Sequence, residues 1–456
     1  MTFMKPIRPD IIARFEGQRA PRYTSYPTAP HFIHAIDDAD YQMLLTGLPP
    51  DGSLSLYLHV PFCQTMCWYC GCHTRIVASY SPIEAYLKAL GAEIRMVAAA
   101  LPQRMKVCHI HWGGGTPTII APEAFHDLMT VLRDCFEVLP DAEVAVEIDP
   151  RRITDDMIRA LGNSGVTRAS LGVQSFDPVV QKAINRIQSY EQTASATDKL
   201  RSMGIEAVNF DLIYGLPHQT VESCEQTVAQ ALQLAPDQLS VFGYAHVPWM
   251  KKHQRMIDTA ALPSPQQRLA QFGAVSQSLT DATYRRIGLD HFAKPDDRLV
   301  RCLDAGTLHR NFQGYTSDQC ATLIGFGASA VGTLPQAYVQ NTTQVGEYHR
   351  RIEAGSFAIQ RGRRLTAEDR LRRDVIERIM CDFRVDLRVV GARHGVRPEY
   401  FMDELARLSD LEQDGIVRVD GAVVSLAEAY WPLARTVASL FDAYLEPEEQ
   451  RHAAAI

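Results

Sequence analysis

Basic side chains are in deficit in this chain of 456 residues: 46 Lys and Arg stand against 53 Asp and Glu, a net charge of −7. No general positive field is available to hold nucleic acid or an anionic membrane, so an anionic ligand needs a local basic pocket. Long apolar runs are missing, and nothing approaches the roughly 18 residues of a membrane-crossing helix. The opening residues, MTFMKPIRPDIIARFEGQ, hold no apolar stretch ahead of a small-residue cleavage site, which leads to the expectation of a soluble, cytoplasmic protein. Low-complexity tracts are absent. Cysteine is scarce, and its ten residues are too unevenly placed for a disulfide-stapled secreted scaffold. The hydrophobic fraction of 46% and charged fraction of 22% are those of an ordinary globular chain. The length suits one large domain with one or two smaller pieces.

From about residue 54 the chain repeats one plan: a short apolar, β-rich run, a Gly/Pro/Asp punctuation, then an amphipathic stretch of helical length. The runs are SLSLYLHVPF, KVCHIHW, AEVAVEIDP, TRASLGVQSF, EAVNFDLIYGLP and QLSVFGYAHVP. Six β-then-α units imply parallel strands joined by right-handed crossovers. Periodicity alone does not choose between a partly closed barrel and an open sheet, but in either the ligands gather at the C-terminal strand ends. Residues 1–50 fall outside the repeat, and APRYTSYPTAPHF suggests an extended N-terminal arm over a main domain of residues 51–362. A second domain, residues 363–456, opens with a helix that Thr366 and Asp369 are spaced to cap. Its Asp420-Gly421 hairpin signal suggests a small, mainly helical, winged-helix-like module. The arginines at its start are interleaved with Glu368, Asp369, Asp374 and Glu377, which fits an interdomain face better than a nucleic-acid patch.

Four of the ten cysteines lie in one window, HVPFCQTMCWYCGCH, at positions 63, 67, 70 and 72. Structural zinc sites bring together two separated knuckles, which a single loop does not provide. Three thiolates spaced CxxxCxxC can hold three irons of a [4Fe–4S] cluster and leave the fourth open. A zinc loop or unrelated thiols is the bland alternative, and the run GGGTP after the next strand argues against it.

The loop resembles that of the radical S-adenosylmethionine (SAM) enzymes, whose signature follows the first strand of a partial (β/α)6 barrel. The resemblance goes further. PRYTSYPT, HVPFCxxxCxYCGC, WGGGTP, EIDP, GVQSF, NFDLIYGLP and LHRNFQGYT together resemble the oxygen-independent coproporphyrinogen III oxidases. It implies that Cys63, Cys67 and Cys70 ligate the cluster, while Cys72 acts as a proton or hydrogen-atom partner near the substrate. It also implies two SAM molecules. The first would contact Tyr57, Tyr69, Gly114, Glu147 and Val331, with Gly114 admitting the methionine moiety because it has no Cβ. The second would contact Gly115, Thr116, Gln174, Arg186, Asp211 and Ala245, with Arg186 taking a carboxylate and Asp211 ribose hydroxyls. Phe312 and Gln313 are implied close to the reacting centre.

The implied reaction converts two propionates of coproporphyrinogen III to vinyls without O2, one SAM-derived radical serving each, in a monomer fed by a low-potential donor such as flavodoxin. Four substrate carboxylates call for cations, for which Arg22, His309 and Arg310 are the candidates on residue chemistry; ordinary surface charge is the alternative reading of each. His109 and His111 are expected to be structural. The rivals are a haem chaperone of the same superfamily, a haem-degrading radical SAM methyltransferase and, more distantly, a zinc-containing DNA-binding protein. The extra Cys72 and the arm speak against the chaperone.

Overall fold

In the computed structural model, residues 8–15, 18 and 20–445 are described. Twelve strands form one sheet: β1 Ser53–Val60, β2 Lys106–Gly114, β3 Glu137–Ile148, β4 Arg168–Gln174, β5 Ala207–Tyr214, β6 Gln238–Gly243, β7 Arg285–Ile287, β8 His291–Ala293, β9 Thr322–Phe326, β10 Val331–Leu334, β11 Ala337–Asn341 and β12 Ile359–Arg364. Their order is β12-β11-β10-β9-β1-β2-β3-β4-β5-β6-β8-β7. Strands β1 to β6 are neighbours in sequence order and run parallel. The order never reverses, so there is no doubly wound switch point, and successive crossovers fall on one face of the sheet. The architecture is the partial (β/α)6 barrel that the sequence resemblance implies.

Alternation along these strands separates two environments. Leu54, Leu56, Leu58 and Val60 of β1 point outward and join one apolar core with Ile110, Val146, Leu171, Phe210 and Val241 of the following strands and with the crossover helices. Ser55, Tyr57 and His59 lie on the other face, as do His109, Glu143, Ser170, Asn209 and Ser240 of the neighbouring strands. Parallel strands buried on both faces read as nearly continuous apolar runs. Here the second face is polar, because it lines a cavity of about 150 Å³ inside the barrel.

Local signals place the helices. Pro82 and Pro122 occupy the first turns of Ser81–Ala100 and Pro122–Cys135. Capping boxes begin Tyr190–Ser202 at Ser189 and Val221–Gln233 at Thr220. Thr366 and Asp369 cap the helix Ala367–Asp382 reciprocally, as their spacing suggests.

One sequence expectation needs correction, and two features lie beyond it. The N-terminal stretch is not extended throughout, since Pro9–Phe15 and Asp38–Thr46 are helical, the latter behind a capping box at Asp37. Six further strands flank the parallel six; they are short or edge strands with weak alternation. The strand Ile359–Arg364 continues through residue 362 and pairs with β11, so chain composition changes there while the backbone pairing does not.

The C-terminal module has its own apolar core, around Leu371, Val375, Ile379, Phe401 and Val437, and a three-stranded sheet whose hairpin turns at Gly421. Tyr23 and Tyr26 of the arm are buried in that core. Tyr23 donates its hydroxyl to Asp442 at 3.0 Å, and the Tyr26 hydroxyl accepts from Ala443 N–H at 2.9 Å. The arm is thus fastened to the far end of the chain. Tyr23→Phe is expected to cost about 1.5–3 kcal/mol, one hydrogen bond to a carboxylate. Faster cleavage of the arm in limited proteolysis would register it, and unchanged cleavage would refute it.

Candidate active site

The cysteine loop leaves the top of β1 and is closed on itself. Phe62 and Cys63 pair in parallel with Arg75 and Ile76, and Val77 N–H returns to the Cys63 carbonyl at 3.0 Å. Other elements grip its outer side. Asn185 donates to the Met66 carbonyl at 2.9 Å, Gln254 to Tyr69 at 3.0 Å and Lys251 to Cys72 at 2.9 Å, while His253 Nε2 lies 2.7 Å from the Cys70 carbonyl. The loop is therefore preorganised by backbone contacts, which leaves its sulfurs available.

Each of three thiols meets donors. Cys63 Sγ accepts from Thr74 Oγ1 at 3.2 Å and lies 3.4 Å from Thr116 Oγ1. Cys67 Sγ receives Nη2 of Arg151 and Nη1 of Arg186, both at 3.6 Å. Cys70 Sγ accepts from Cys72 N–H at 3.4 Å. Hydrogen bonds of this kind stabilise thiolate charge, so the donor set fits an anionic iron–sulfur cluster. Asp149 and Arg151, in EIDPRR, are functional residues that the sequence reading missed; the Asp-Pro-Arg at a strand's C-terminal end was the available signal. Asp149 clamps Arg151 at 2.6 Å and lies 3.4 Å from Arg186.

The glycine run has a reason beyond the one expected. Gly114 has φ +118°, and a Cβ there would stand 2.8 Å from the His59 ring and 2.9 Å from the Val60 carbonyl oxygen. Its own protein, not only a ligand, excludes a side chain. At Gly115 a Cβ would fall 2.5 Å from the Phe62 carbonyl oxygen, which is backbone and cannot step aside. Gly115→Ala is expected to destabilise by about 1–3 kcal/mol and to loosen the loop. Lower iron per chain after anaerobic reconstitution, with a lower Tm, is the expected readout.

Tyr57 and His59 secure the loop's exit. His59 Nε2 lies 2.9 Å from the His73 carbonyl and so must carry the proton; Nδ1 then accepts from the Tyr57 hydroxyl at 2.9 Å. Burial holds the His59 pKa down at about 4, which keeps this neutral tautomer. Burial likewise pushes the Tyr57 hydroxyl well up.

Glu147 accepts from Gly114 N–H at 3.1 Å and lies 3.2 Å from His111 Nε2. Gln174, with φ +68°, and Arg186 both stand over Gly172. Arg186 is already engaged: Nη2 donates to the Gly172 carbonyl at 2.6 Å, whereas its buried Nε has no hydrogen-bond partner among the described residues. Asp211 accepts from Ser170 at 3.0 Å and Asn209 at 2.9 Å, and its burial raises its pKa. Asp211, Glu147 and Gln313 line the barrel cavity together, and so do His109 and His111. Ala245 lies two residues past β6, its carbonyl 3.2 Å from the Gln254 amide that also holds Tyr69. Phe312 and Val331 pack against Phe32 of the arm and Tyr338. His309 pairs with Glu377 at 3.1 Å.

The radical SAM superfamily profile matches residues 57–231, the stretch that carries this loop and most of the rim. The chain is 56% identical over 450 residues to the oxygen-independent coproporphyrinogen III oxidase of Bradyrhizobium diazoefficiens, covering 99% of this chain and 100% of that one. This chain belongs to the oxygen-independent coproporphyrinogen III oxidase family. It is 41% identical over 426 residues to the family member of Salmonella typhimurium, covering 93% of each chain. Among solved structures, the coproporphyrinogen III oxidase of Escherichia coli, described as a radical SAM enzyme, superposes with a TM-score of 0.89 at 38% identity, over 94% of this chain and 100% of that one. Family membership brings a [4Fe–4S] cluster and SAM, and the donor-bearing thiols of the loop are chemically suited to the cluster. Among the described residues, no helix is long and apolar enough to cross a membrane.

Proposed function

We propose that this chain converts two propionates of coproporphyrinogen III to vinyl groups by oxygen-independent oxidative decarboxylation, giving protoporphyrinogen IX. The observation that carries the reading is the three-cysteine loop braced on the C-terminal rim of six parallel strands, in a chain matched end to end by oxidases of this name. Held by Cys63, Cys67 and Cys70, the cluster with two SAM molecules would supply one-electron cleavage of a sulfonium and the hydrogen-atom abstraction that acid–base groups cannot perform.

The chain's own residues bind, orient and shield. Arg151 and Arg186 place positive charge at the Cys67 sulfur, and Thr74 donates to that of Cys63. The Glu147 carboxylate, positioned by Gly114 N–H, would hold the first SAM together with Tyr57, Tyr69 and Val331. Gly115, Thr116, Gln174, Arg186, Asp211 and Ala245 surround the second. Arg186 contributes its remaining N–H there, because the rest of its guanidinium serves Cys67 and Gly172. Cys72, not a ligand, stands as hydrogen partner on the substrate side, near Phe312 and Gln313. A low-potential donor such as flavodoxin delivers the electrons, and the enzyme works as a cytoplasmic monomer.

Anaerobic reconstitution with iron and sulfide, followed by SAM, reductant and coproporphyrinogen III, is expected to yield protoporphyrinogen IX and 5′-deoxyadenosine. A colourless protein carrying zinc, or tight haem binding without turnover, would overturn the assignment.

A further inference from the structure

Residues 249–256, WMKKHQRM, divide their side chains between two directions. Three reach inward to the cysteine loop: Lys251 Nζ donates to the Cys72 carbonyl at 2.9 Å, His253 Nε2 lies 2.7 Å from that of Cys70, and the buried Gln254 donates to that of Tyr69 at 3.0 Å. The other five face solvent. Trp249 is 54% exposed, Met250 65% and Met256 60%, and Lys252 and Arg255 are exposed among them. Lys252 and Arg255 stand three apart in the 3₁₀ helix Lys252–Met256, whose three residues per turn put them on one side.

Single exposed apolar side chains are ordinary, but three within one short segment, interleaved with cations, make a patch. Its charge runs against the −7 of the chain as a whole. Residues 244–257 contain no Asp or Glu, and the acid that follows, Asp258, is occupied by the Ala260 N–H at 2.9 Å. None of the five outward side chains lines the barrel cavity or the cavity of about 420 Å³ between arm, barrel and C-terminal module, so the patch stands outside both enclosed spaces. An apolar centre edged by lysine and arginine suits a partner protein whose matching face is apolar with an acidic rim.

The segment that bears the patch also holds the loop's carbonyls, so a protein seated on it comes within one residue layer of the cysteine backbone. We propose that Trp249, Met250, Lys252, Arg255 and Met256 form the docking face for an acidic one-electron carrier protein. One electron leaves the carrier's reduced centre and is gained by the cluster that the loop holds, with no bond made or broken. This proposal rests on the activity given above, which requires that electron.

The probe is purified flavodoxin, an acidic flavoprotein, titrated against the anaerobically reconstituted full chain. Wild type is expected to bind it, and more weakly as salt rises. The double variant Lys252→Glu, Arg255→Glu should weaken binding about 10-fold or more at low ionic strength and slow cluster reduction by reduced flavodoxin to match. Its iron content, its Tm and its 5′-deoxyadenosine formation with dithionite as reductant should stay at wild-type levels. If that variant fails to fold, the double variant Lys252→Gln, Arg255→Gln decides, with a smaller loss in the same direction. Wild type that fails to bind flavodoxin or binds it without regard to salt, or a folded variant that binds it like wild type, would overturn the docking face. So would a raised KM for coproporphyrinogen III in the dithionite assay, which would give the patch to substrate, or a wild-type dimer that the variant loses, which would give it to a second copy of the chain. Wild-type turnover of coproporphyrinogen III with dithionite is scored separately. Turnover without charge-dependent flavodoxin binding defeats the docking face alone, and charge-dependent binding without turnover defeats only the activity.

Discussion

Cys67→Ala is expected to abolish iron binding and product formation together. Cys67 is buried, and its sulfur is where Arg151 and Arg186 converge, each at 3.6 Å. Its removal leaves two protein thiolates for a cluster that needs three. It also leaves two guanidiniums facing each other with Asp149 as their shared counter-charge. Iron and sulfide per chain should fall to background, with loss of the brown colour and of 5′-deoxyadenosine formation. Iron content at the wild-type level would remove the loop from cluster binding. Cys72→Ala is the contrasting variant. It should retain iron and lose product by about 10²-fold or more, the usual weight of a positioned proton or hydrogen partner. Parallel loss of iron would instead make Cys72 a ligand.

The second large effect lies away from the thiols. Glu93, in the helix Ser81–Ala100, is 2% exposed. One carboxylate oxygen accepts from Asn341 at 2.7 Å; the other accepts from Gly327 N–H and the Tyr348 hydroxyl, both at 2.7 Å. Beside it the Tyr86 hydroxyl accepts from Ala328 N–H and donates to the His59 carbonyl at 2.6 Å. This network joins the end of β9 to the end of β1, at the entrance to the cysteine loop. Glu93→Ala orphans three buried donors and is expected to cost about 3–5 kcal/mol, read from urea unfolding of the reconstituted protein. A loss under about 1 kcal/mol would show that water replaces the carboxylate.

The same residue sets a pH dependence. Burial raises the Glu93 pKa from 4.5 to about 7. The folded state therefore binds the proton more tightly than the unfolded chain. The contribution is full below pH 4.5 and lost as pH rises through 7, so stability from this group falls across that window and is flat above it. Glu93→Gln should remove the slope, and a slope that persists in the variant would assign it to other groups.

Much of this was legible in the sequence because the signals are short-range. Six β-then-α periods fall on β1 to β6, and the CxxxCxxC spacing lies directly after β1. The polar inner face of SLSLYLHV emerged only with the fold, since the run reads as apolar and β-rich. What escaped notice was long-range. Asp149 and Arg151 read as an ordinary strand-end turn until the fold brings them to a sulfur 84 positions earlier in the chain. Glu93 looked like any charged residue of an amphipathic helix. PRYTSYPT was visible as a motif, but its tyrosines acquire a purpose only through Asp442 and Ala443.

By itself, the sequence determined the order of strands and helices, the three thiols of one loop and the glycines that let the backbone turn beside them, because those depend on neighbours a few residues apart. The tertiary structure decided which charges meet: two guanidiniums at Cys67 and a carboxylate with three donors at Glu93. Burial and electrostatics act through space, and only the folded chain sets those distances.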